Sequence, residues 1–177
     1  MSTAAPDSAG LGYRPCVGIM VLNQAGHVWV GQRADMPGDA EGAGTWWQMP
    51  QGGIDKNEDP RQAALRELRE ETSIKEKDVE IIAETPDWLT YDLPPHLIGV
   101  AWGGRYRGQK QKWFAVRFVG ADSDIDLNSP EGPHPEFVAW RWSPPEQLPA
   151  SIVPFKRDVY LEVLRIFGPI LASAAPR

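Results

Sequence analysis

Short runs of apolar residues, bounded by Gly, Pro, Asn or Asp, recur along this chain and predict β-strands. The first two runs, residues 13–22 and 27–30, are separated by the turn-like stretch Asn23–Gly26. Residues 34–44 are rich in Gly, Asp and Ala and predict a mobile loop, whereas residues 86–95 predict an irregular segment. Further strands are expected at residues 79–84, 97–102, 112–119 and 136–142.

Two stretches have helical signals instead. Asp59 can accept hydrogen bonds from the free amides of a first helical turn, and Pro60 suits the first helical position, so a helix is expected from there to about Thr72. After Pro154, apolar residues recur at helical spacing and predict a second helix with a core-facing stripe: Val159, Tyr160, Val163, Leu164 and Phe167. Strands on either side of the helices predict an α/β (α+β) sandwich with a mixed central sheet.

The helix that begins near Asp59 has two distinct stripes. At about 100° per residue, the apolar stripe consists of Ala64, Leu65, Leu68 and Thr72. The second stripe consists of three carboxylates, Glu67, Glu70 and Glu71. These like charges repel one another, and Arg66 can compensate them only in part. The stripe is therefore either a solvated acidic face or, with a hard divalent cation as compensator, a metal site.

The length, composition and net charge of the chain limit the class of protein. A length of 177 residues, with 42% hydrophobic and 24% charged residues, predicts one soluble globular domain. The single cysteine, Cys16, excludes an internal disulfide and fits a reducing cytoplasm. No apolar run reaches the roughly 20 residues of a membrane helix, and residues 1–11 read as a disordered lead rather than a signal peptide. A net charge of −6 argues against a protein that coats DNA or other nucleic acids.

The residues around the acidic stripe resemble the Nudix box, Gly-x5-Glu-x7-Arg-Glu-U-x-Glu-Glu-x-Gly-U, in which U is apolar. Here Gly52 is followed at that spacing by Glu58 and then by Arg66 to Ile74. The one departure is Ser73, which occupies the second glycine position. A glycine there would permit a left-handed backbone after the helix, and serine adopts it at a cost of roughly 1 kcal/mol.

The resemblance extends from about residue 12 to residue 167. It includes Gly12–Pro15, Trp47–Asp55, Gly108–Phe114, Pro135–Phe137 and Pro154–Tyr160, all in family order. The pattern is similar to the RNA pyrophosphohydrolase and dinucleoside-polyphosphate hydrolase branch of the Nudix family. That likeness implies a Nudix-type α/β/α sandwich over residues 12–168, followed by a tail at residues 169–177.

The resemblance also implies a metal centre. Glu67, Glu70 and Glu71 would hold Mg²⁺ or Mn²⁺, two to three ions in all, with the carbonyl of Gly52 and the distant carboxylate Glu136 completing the set. Glu67 is the expected acceptor of the proton of the attacking water, and Glu136 is the alternative. Glu58 is expected to pair with Arg66 and brace the box, which is a structural role.

Substrate recognition should need cations and an aromatic face. The positions that resemble phosphate and nucleotide contacts in the family are Arg14, Arg33, Gln109, Lys110, Lys112, Phe155 and Lys156. Each cation could equally be a solubilising surface residue. Phe155 is a candidate for stacking on the first base.

The leading functional hypothesis is an enzyme that converts the 5′ triphosphate or diphosphate end of RNA to a monophosphate, the step that initiates mRNA decay. The nearest alternative is hydrolysis of diadenosine tetraphosphate to ATP and AMP. A third hypothesis, from another class, is a Nudix-fold sensor that binds nucleotides without cleaving them, although such proteins usually lose a box carboxylate. The sequence indicates no membrane, DNA or particular protein partner.

Overall fold

The computed structural model describes residues 8–33, 46–128 and 135–174. Its strands are β1 (Gly12–Leu22), β2 (Val28–Arg33), β3 (Trp47–Gln48), β4 (Gln51–Gly53), β5 (Val79–Glu84), β6 (Leu89–Asp92), β7 (Tyr106–Phe118) and β8 (Phe137–Ser143). Its α-helices are α1 (Pro60–Thr72), α2 (Leu148–Ser151) and α3 (Arg157–Ala174). The expected loop at residues 34–44 and most of the expected N-terminal lead lie outside the described residues.

A single mixed sheet contains all eight of these strands. Its central pair, β1 and β7, is parallel: Gly12 lies opposite Tyr106, the register shifts by one residue before Tyr13, and the pairing then continues to Leu22 opposite Arg117. The other pairings are antiparallel: β2 joins β1, β3 and β8 join β2, and β5 and β6 both join β7. The short strand β4 pairs with β1, which places Gly52 opposite Val17.

Alternating side chains of the central strands supply two cores on opposite faces of the sheet. Trp113 and Ala115 of β7 pack on the face that α2 and α3 cover. Phe114 and Val116 of the same strand pack on the other face, against the apolar stripe of α1. Helices on both faces of a mixed sheet confirm the expected α/β sandwich.

Helix α1 begins and ends where the sequence predicts. Asp59 is its N-cap and accepts a hydrogen bond from the amide of Arg61 at 2.7 Å, and Pro60 is its first residue. Ser73 follows the helix with φ 65°, in the left-handed region that the glycine of the family pattern would adopt without strain. The Ser73 hydroxyl donates to the carbonyl of Asp126 at 2.8 Å, and this bond helps to hold the unusual conformation.

Two predictions for residues 86–104 were wrong. Residues 89–92, expected to be irregular, form β6 and pair with β7. Residues 97–102, expected to be a strand, form turns that lead into a 3₁₀ segment, Ala101–Gly104. The reason is the backbone: Gly99, Gly103 and Gly104 all have positive φ, and so does Trp102 at 52°. Four such residues in six cannot maintain an extended strand.

The C-terminal prediction needs one adjustment. The apolar stripe of α3 is buried as expected, with Val163 and Phe167 at the core. The helix continues to Ala174, so most of the segment expected to be a tail is helical. None of the described helices is long and apolar enough to cross a membrane.

Candidate active site

A cavity of about 490 Å³ opens where β4, β6 and β7 approach the ends of α1 and α3. Its lining has three zones: the carboxylates (the carboxylate end), the cations, and the apolar and aromatic side chains (the apolar wall). The lining includes Arg14, Arg33, Gln51, Gly52, Glu67, Glu71, Tyr91, Leu97, Val100, Trp102, Gln109, Glu136, Phe155 and Lys156. Nine of the residues predicted for the site are therefore brought together around one cavity: Arg14, Arg33, Gly52, Glu67, Glu71, Gln109, Glu136, Phe155 and Lys156.

An ion-pair brace fixes α1 against the loop that precedes it. The Arg66 guanidinium donates to both carboxylate oxygens of Glu58 at 2.8 Å and to the carbonyl of Gly53 at 2.9 Å. Glu58 also accepts from the amide of Asp55 at 3.0 Å. The hydrogen bond from Arg66 lowers the pKa of Glu58, so this carboxylate stays ionised. These contacts are the ones expected of the structural pair.

Glu67 lies directly against the backbone of β4. A methyl group on Gly52 would overlap the Glu67 carboxylate, so only glycine leaves room for this side chain at the cavity edge. Burial raises the pKa of Glu67 to about 7, although Arg66 at 2.9 Å acts in the opposite direction. Such a carboxyl is poised near neutral pH to accept a proton.

Glu71 is buried one helical turn further along. Its carboxylate accepts a hydrogen bond from the amide of Gln51 at 3.3 Å. Burial raises the pKa of Glu71 well above its ordinary value, and the negative charges of Glu136 and Glu67 raise it further. Buried carboxylates that repel one another are costly unless a cation joins them.

Glu70 and Glu136 occupy different positions relative to the cavity. Glu136 lies just before β8 and lines the cavity. Glu70 does not line it, and its carboxylate lies 3.3 Å from the Arg66 guanidinium. Within residues 8–33, 46–128 and 135–174, no three acidic, histidine or cysteine side chains are already gathered closely enough to hold a metal ion. The carboxylates are instead engaged by Arg66 and by the amide of Gln51.

Three cations line the cavity beside the carboxylates. Lys156 is buried, and desolvation together with the charge of Arg33 lowers its pKa to about 8. Arg33 donates to the side-chain oxygen of Gln48 at 3.5 Å. Arg14 stacks over the Trp102 ring at 5.7 Å from its centroid and lies beside Gly53. A positive zone of this kind, with one buried and two partly buried cations, favours a polyanion such as a phosphate chain.

Aromatic rings complete the lining and lie beside the cations, since the Lys156 Nζ is 5.7 Å from the centroid of the Tyr91 ring. Phe155 and Tyr91 have ring centroids 5.7 Å apart, at an interplanar angle of 42°. Gln109 accepts a hydrogen bond from Gln111 at 2.7 Å, and the same Gln111 amide donates to Gln51 at 3.0 Å. These polar side chains are buried on the cavity face of β7 and are held in fixed orientations.

Lys110 and Lys112 are not part of the cavity lining. Successive residues of a strand point to opposite faces, and Gln109 and Gln111 take the cavity face of β7. The two lysines therefore point to the other face, where both lie over the ring of Trp88. The prediction that they contact substrate is not supported at the cavity itself.

Sequence reasoning missed several residues of the apolar wall. Tyr91 belongs to β6, and the alternation of that short strand would have placed it on the cavity face had the strand been recognised. Leu97, Val100 and Trp102 were assigned to a strand, yet they line the cavity from turns. The glycines at positions 99, 103 and 104 were the available signal for those turns.

Comparison with known proteins decides the family. A family model described as the NUDIX domain matches residues 12–163. The chain belongs to the Nudix family. This membership confirms the resemblance noted in the sequence, together with the expected enzyme class, a hydrolase of phosphoanhydride bonds.

Similar proteins and solved structures agree with this assignment. The chain is 57% identical over 171 residues to the RNA pyrophosphohydrolase of Brucella ovis, covering 96% of this chain and 95% of that protein. It is 56% identical over 168 residues to the RNA pyrophosphohydrolase of Brucella anthropi, with 94% and 95% covered. Its fold matches the Escherichia coli dihydroneopterin triphosphate pyrophosphohydrolase with a TM-score of 0.64 at 20% identity, covering 88% of this chain and 98% of that one. A Caenorhabditis elegans Ap4A hydrolase complex matches with a TM-score of 0.62 at 18% identity and the same coverage.

The donor set of this Nudix site fits a divalent cation, which Nudix hydrolases generally use. Its candidate ligands are carboxylate and carbonyl oxygens, which hard cations prefer. The absent side chain at Gly52 leaves its backbone open towards Glu67, and Glu71 is a buried carboxylate with negative neighbours. A bound cation would relieve both the repulsion and the desolvation at these groups.

Proposed function

We propose that this Nudix hydrolase is an RNA pyrophosphohydrolase, which converts the 5′ triphosphate or diphosphate end of RNA to a 5′ monophosphate. The observation that supports this most directly is one cavity whose lining combines carboxylates, cations and aromatic rings, with Glu71 and Lys156 buried among them. A phosphate chain attached to a nucleotide needs all three zones. The RNA substrate is supported by the name of the Brucella relatives, which align along nearly the whole chain.

The proposed metal ligands are the carboxylates of Glu67, Glu70, Glu71 and Glu136 and the carbonyl of Gly52. Mg²⁺ or Mn²⁺, two to three ions, would screen the polyphosphate, acidify a bound water and stabilise the charge that develops on the phosphoryl oxygens. Glu70 would have to leave Arg66 to take part, because its carboxylate is paired with that guanidinium in the described structure.

The chain's own groups then account for the proton and the phosphates. Glu67, whose pKa is raised to about 7, accepts a proton from the attacking water, and Glu136 is the alternative acceptor. The water oxygen forms a bond to the first phosphorus while the bond from that phosphorus to the bridging oxygen breaks. A triphosphate end therefore releases pyrophosphate, and a diphosphate end releases phosphate.

The cations and the apolar wall bind the 5′ end of the RNA. Arg14, Arg33 and Lys156 contact the phosphate chain, and Gln109 lies beside them on β7. Phe155 offers a face to the first base, with Tyr91 against it. These contacts place the first phosphorus beside the carboxylates, which is the positioning that phosphoryl transfer requires.

In the cell, the proposed reaction prepares RNA for decay, because it exposes a 5′ monophosphate. We propose a cytoplasmic location and a catalytic domain at residues 12–168, with α3 continuing to Ala174. The Nudix-fold sensor is a weaker hypothesis, because Glu67, Glu70 and Glu71 are all retained.

Product analysis tests this proposal. Triphosphorylated RNA and diadenosine tetraphosphate are supplied at equal concentration with Mg²⁺ or Mn²⁺, and kcat/KM is compared for the two. We expect RNA monophosphate and pyrophosphate, with the larger kcat/KM for RNA. A larger kcat/KM for the dinucleotide would favour the alternative hydrolase, and binding of both substrates without products would favour the sensor. Glu71→Gln serves as the inactive control.

A further inference from the structure

Strands β6 and β7 present two different faces at the same end of the sheet. Tyr91 and Gln109 point into the cavity, whereas Thr90 and Lys110, which pair across the two strands, point away from it. Lys112 shares the outward face of β7 with Lys110 because the two are separated by one residue. The cavity does not account for these two lysines.

On that outward face both lysines lie over an exposed aromatic ring. The Nζ atoms of Lys110 and Lys112 lie 4.8 and 5.5 Å from the centroid of the Trp88 ring, which is 37% exposed. Lys112 also donates to the carbonyl of Pro86 at 3.3 Å. Among the ion pairs of the described residues, neither lysine has a carboxylate partner. We call Trp88, Lys110 and Lys112 the outer patch.

The acidic groups beside the outer patch are largely neutralised. Asp92 pairs with Arg107 at 2.9 Å, and Glu84 pairs with Arg61 at 3.5 Å. Asp87 is exposed in the same turn as Trp88 and is the nearest acidic neighbour in sequence. On a chain of net charge −6, two lysines over one tryptophan therefore form a local positive and aromatic surface.

We propose that the outer patch binds the single-stranded body of the RNA, downstream of the nucleotides held in the cavity. This inference rests on the proposed function and extends it to substrate length. An exposed aromatic ring beside cations is the arrangement that binds single strands with little sequence preference: a base stacks on the open part of the ring while the cations contact phosphates.

The patch is also close enough to the catalytic end for one strand to reach both. Val17 of β1 lies opposite Gly52 on one side and opposite Lys112 on the other. Gly52 and Lys112 are thus two strand spacings apart, about 10 Å. An RNA whose first phosphates lie against Gly52 and Glu67 needs only to pass the edge of the sheet to reach Trp88.

The first experiment compares substrates of different length. We expect Lys110→Ala/Lys112→Ala and Trp88→Ala to lower kcat/KM on a triphosphorylated 20-mer by roughly tenfold, and on a triphosphorylated dinucleotide by much less. Trp88→Phe and Lys110→Arg/Lys112→Arg should largely restore the 20-mer. Arg117→Ala, which removes an exposed cation at the far end of β7, is the matched control and should leave the ratio unchanged.

The second experiment measures binding alone, with an RNA that the enzyme cannot hydrolyse. Fluorescence anisotropy measures binding of a 5′-hydroxyl 20-mer, which has no phosphate chain for the cavity, across a range of salt concentrations. We expect the double lysine variant to bind roughly tenfold more weakly. The slope of log K against log salt should fall by about 1.4, which corresponds to two phosphate contacts on a single strand.

Several results would overturn the inference. Equal losses on the dinucleotide and the 20-mer would place the lysines at the 5′ end, and no loss on either would leave the patch without a role in RNA binding. Unchanged binding of the 5′-hydroxyl RNA, or tighter binding of an aspartate-rich peptide than of RNA, would also contradict it. The wild type could bind the 5′-hydroxyl RNA through the patch and yet release no pyrophosphate from triphosphorylated RNA. In that case the proposed function fails and the RNA-binding surface stands.

Discussion

The carboxylate end and the apolar wall of the same cavity are built in opposite ways. At the carboxylate end, a regular helix and a short strand hold Glu67 against Gly52 and Glu71 against the amide of Gln51, and Arg66 pairs with Glu67. At the wall, Val100 and Trp102 lie in turns that depend on glycines with positive φ. The proposed metal ligands therefore lie on regular elements, whereas this part of the apolar wall lies on an irregular one.

The two ends should therefore respond differently to substitution. Changes at the carboxylate end should lower kcat, because those groups are the proposed metal ligands and proton acceptor. Changes among the cations and the wall should raise KM, because those groups hold substrate and transition state alike.

The largest effect is expected from Glu71→Gln, and equally from Glu70→Gln. Each substitution removes one negative charge from the metal-binding set without changing side-chain volume, so kcat should fall at least about a hundredfold while the fold is kept. Steady-state kinetics and circular dichroism would check this. Glu162→Gln, an exposed change in α3, is the control. Near-normal turnover of either box variant would mean that its carboxylate is not a metal ligand.

Much of the carboxylate end could be predicted from sequence, because its determinants are local. The cap at Asp59, the helical period and the fixed spacing of the box place Glu67 and Glu71 on one side of α1. That Glu71 would be buried and Glu70 paired with Arg66 depends on how α1 sits on β4, which no local pattern encodes.

The wall could not be predicted, because its residues belong to elements set by tertiary contacts. The apolar run 97–102 has the composition of a strand, but the glycines around it impose turns. Polar residues 109–111 hid the first half of β7, since Gln109 and Gln111 face the cavity side of the strand and Lys110 points to the exposed outer face, so none of them has the apolar character of a core position. Lys110 was expected at the phosphates because its motif resembles that of the family, and its side chain lies on the other face.

A pH-dependent change in stability should follow from the carboxylate end. The pKa of Glu67 is about 7 in the folded protein and near 4.5 when unfolded, so the folded state binds more protons between these values. The free energy of unfolding should therefore fall as pH rises through this window, on the order of 1–3 kcal/mol.

Thermal unfolding in EDTA between pH 5 and pH 7.5 measures this effect. The midpoint should fall by several degrees in the wild type and by less in Glu67→Gln, and added Mn²⁺ at pH 7.5 should restore it. A midpoint that rises with pH in this range would contradict the account, since it would mean that the buried carboxyl groups are stabilised as anions by the protein alone.

A smaller effect is expected at the cations. Lys156→Met keeps the side-chain length but removes a buried charge, so KM for triphosphorylated RNA should rise about tenfold with kcat little changed. Because the pKa of Lys156 is lowered to about 8, KM of the wild type should also rise above that pH as the lysine loses its proton. Arg165→Met, an exposed change in the same helix, is the matched control. A fall in kcat alone would assign Lys156 to the chemistry.

The smallest effect is expected at the wall. Trp102→Ala removes the ring that stacks under Arg14, so KM should rise roughly two- to fivefold, and Trp102→Phe should keep most of the affinity. Kinetics on triphosphorylated RNA would check both variants. A hundredfold loss of kcat in Trp102→Ala would erase the distinction between the two ends.

The most direct test of the central claim is pyrophosphate release from triphosphorylated RNA, measured against the concentration of added Mg²⁺ or Mn²⁺ after treatment with EDTA. For the wild type we predict no release without metal and a saturable return of activity as metal is added. For Glu71→Gln we predict that the return is small at every concentration. Full activity of the EDTA-treated wild type, or the same metal dependence in both proteins, would contradict the claim that the carboxylates of α1 gather the cations that drive the reaction.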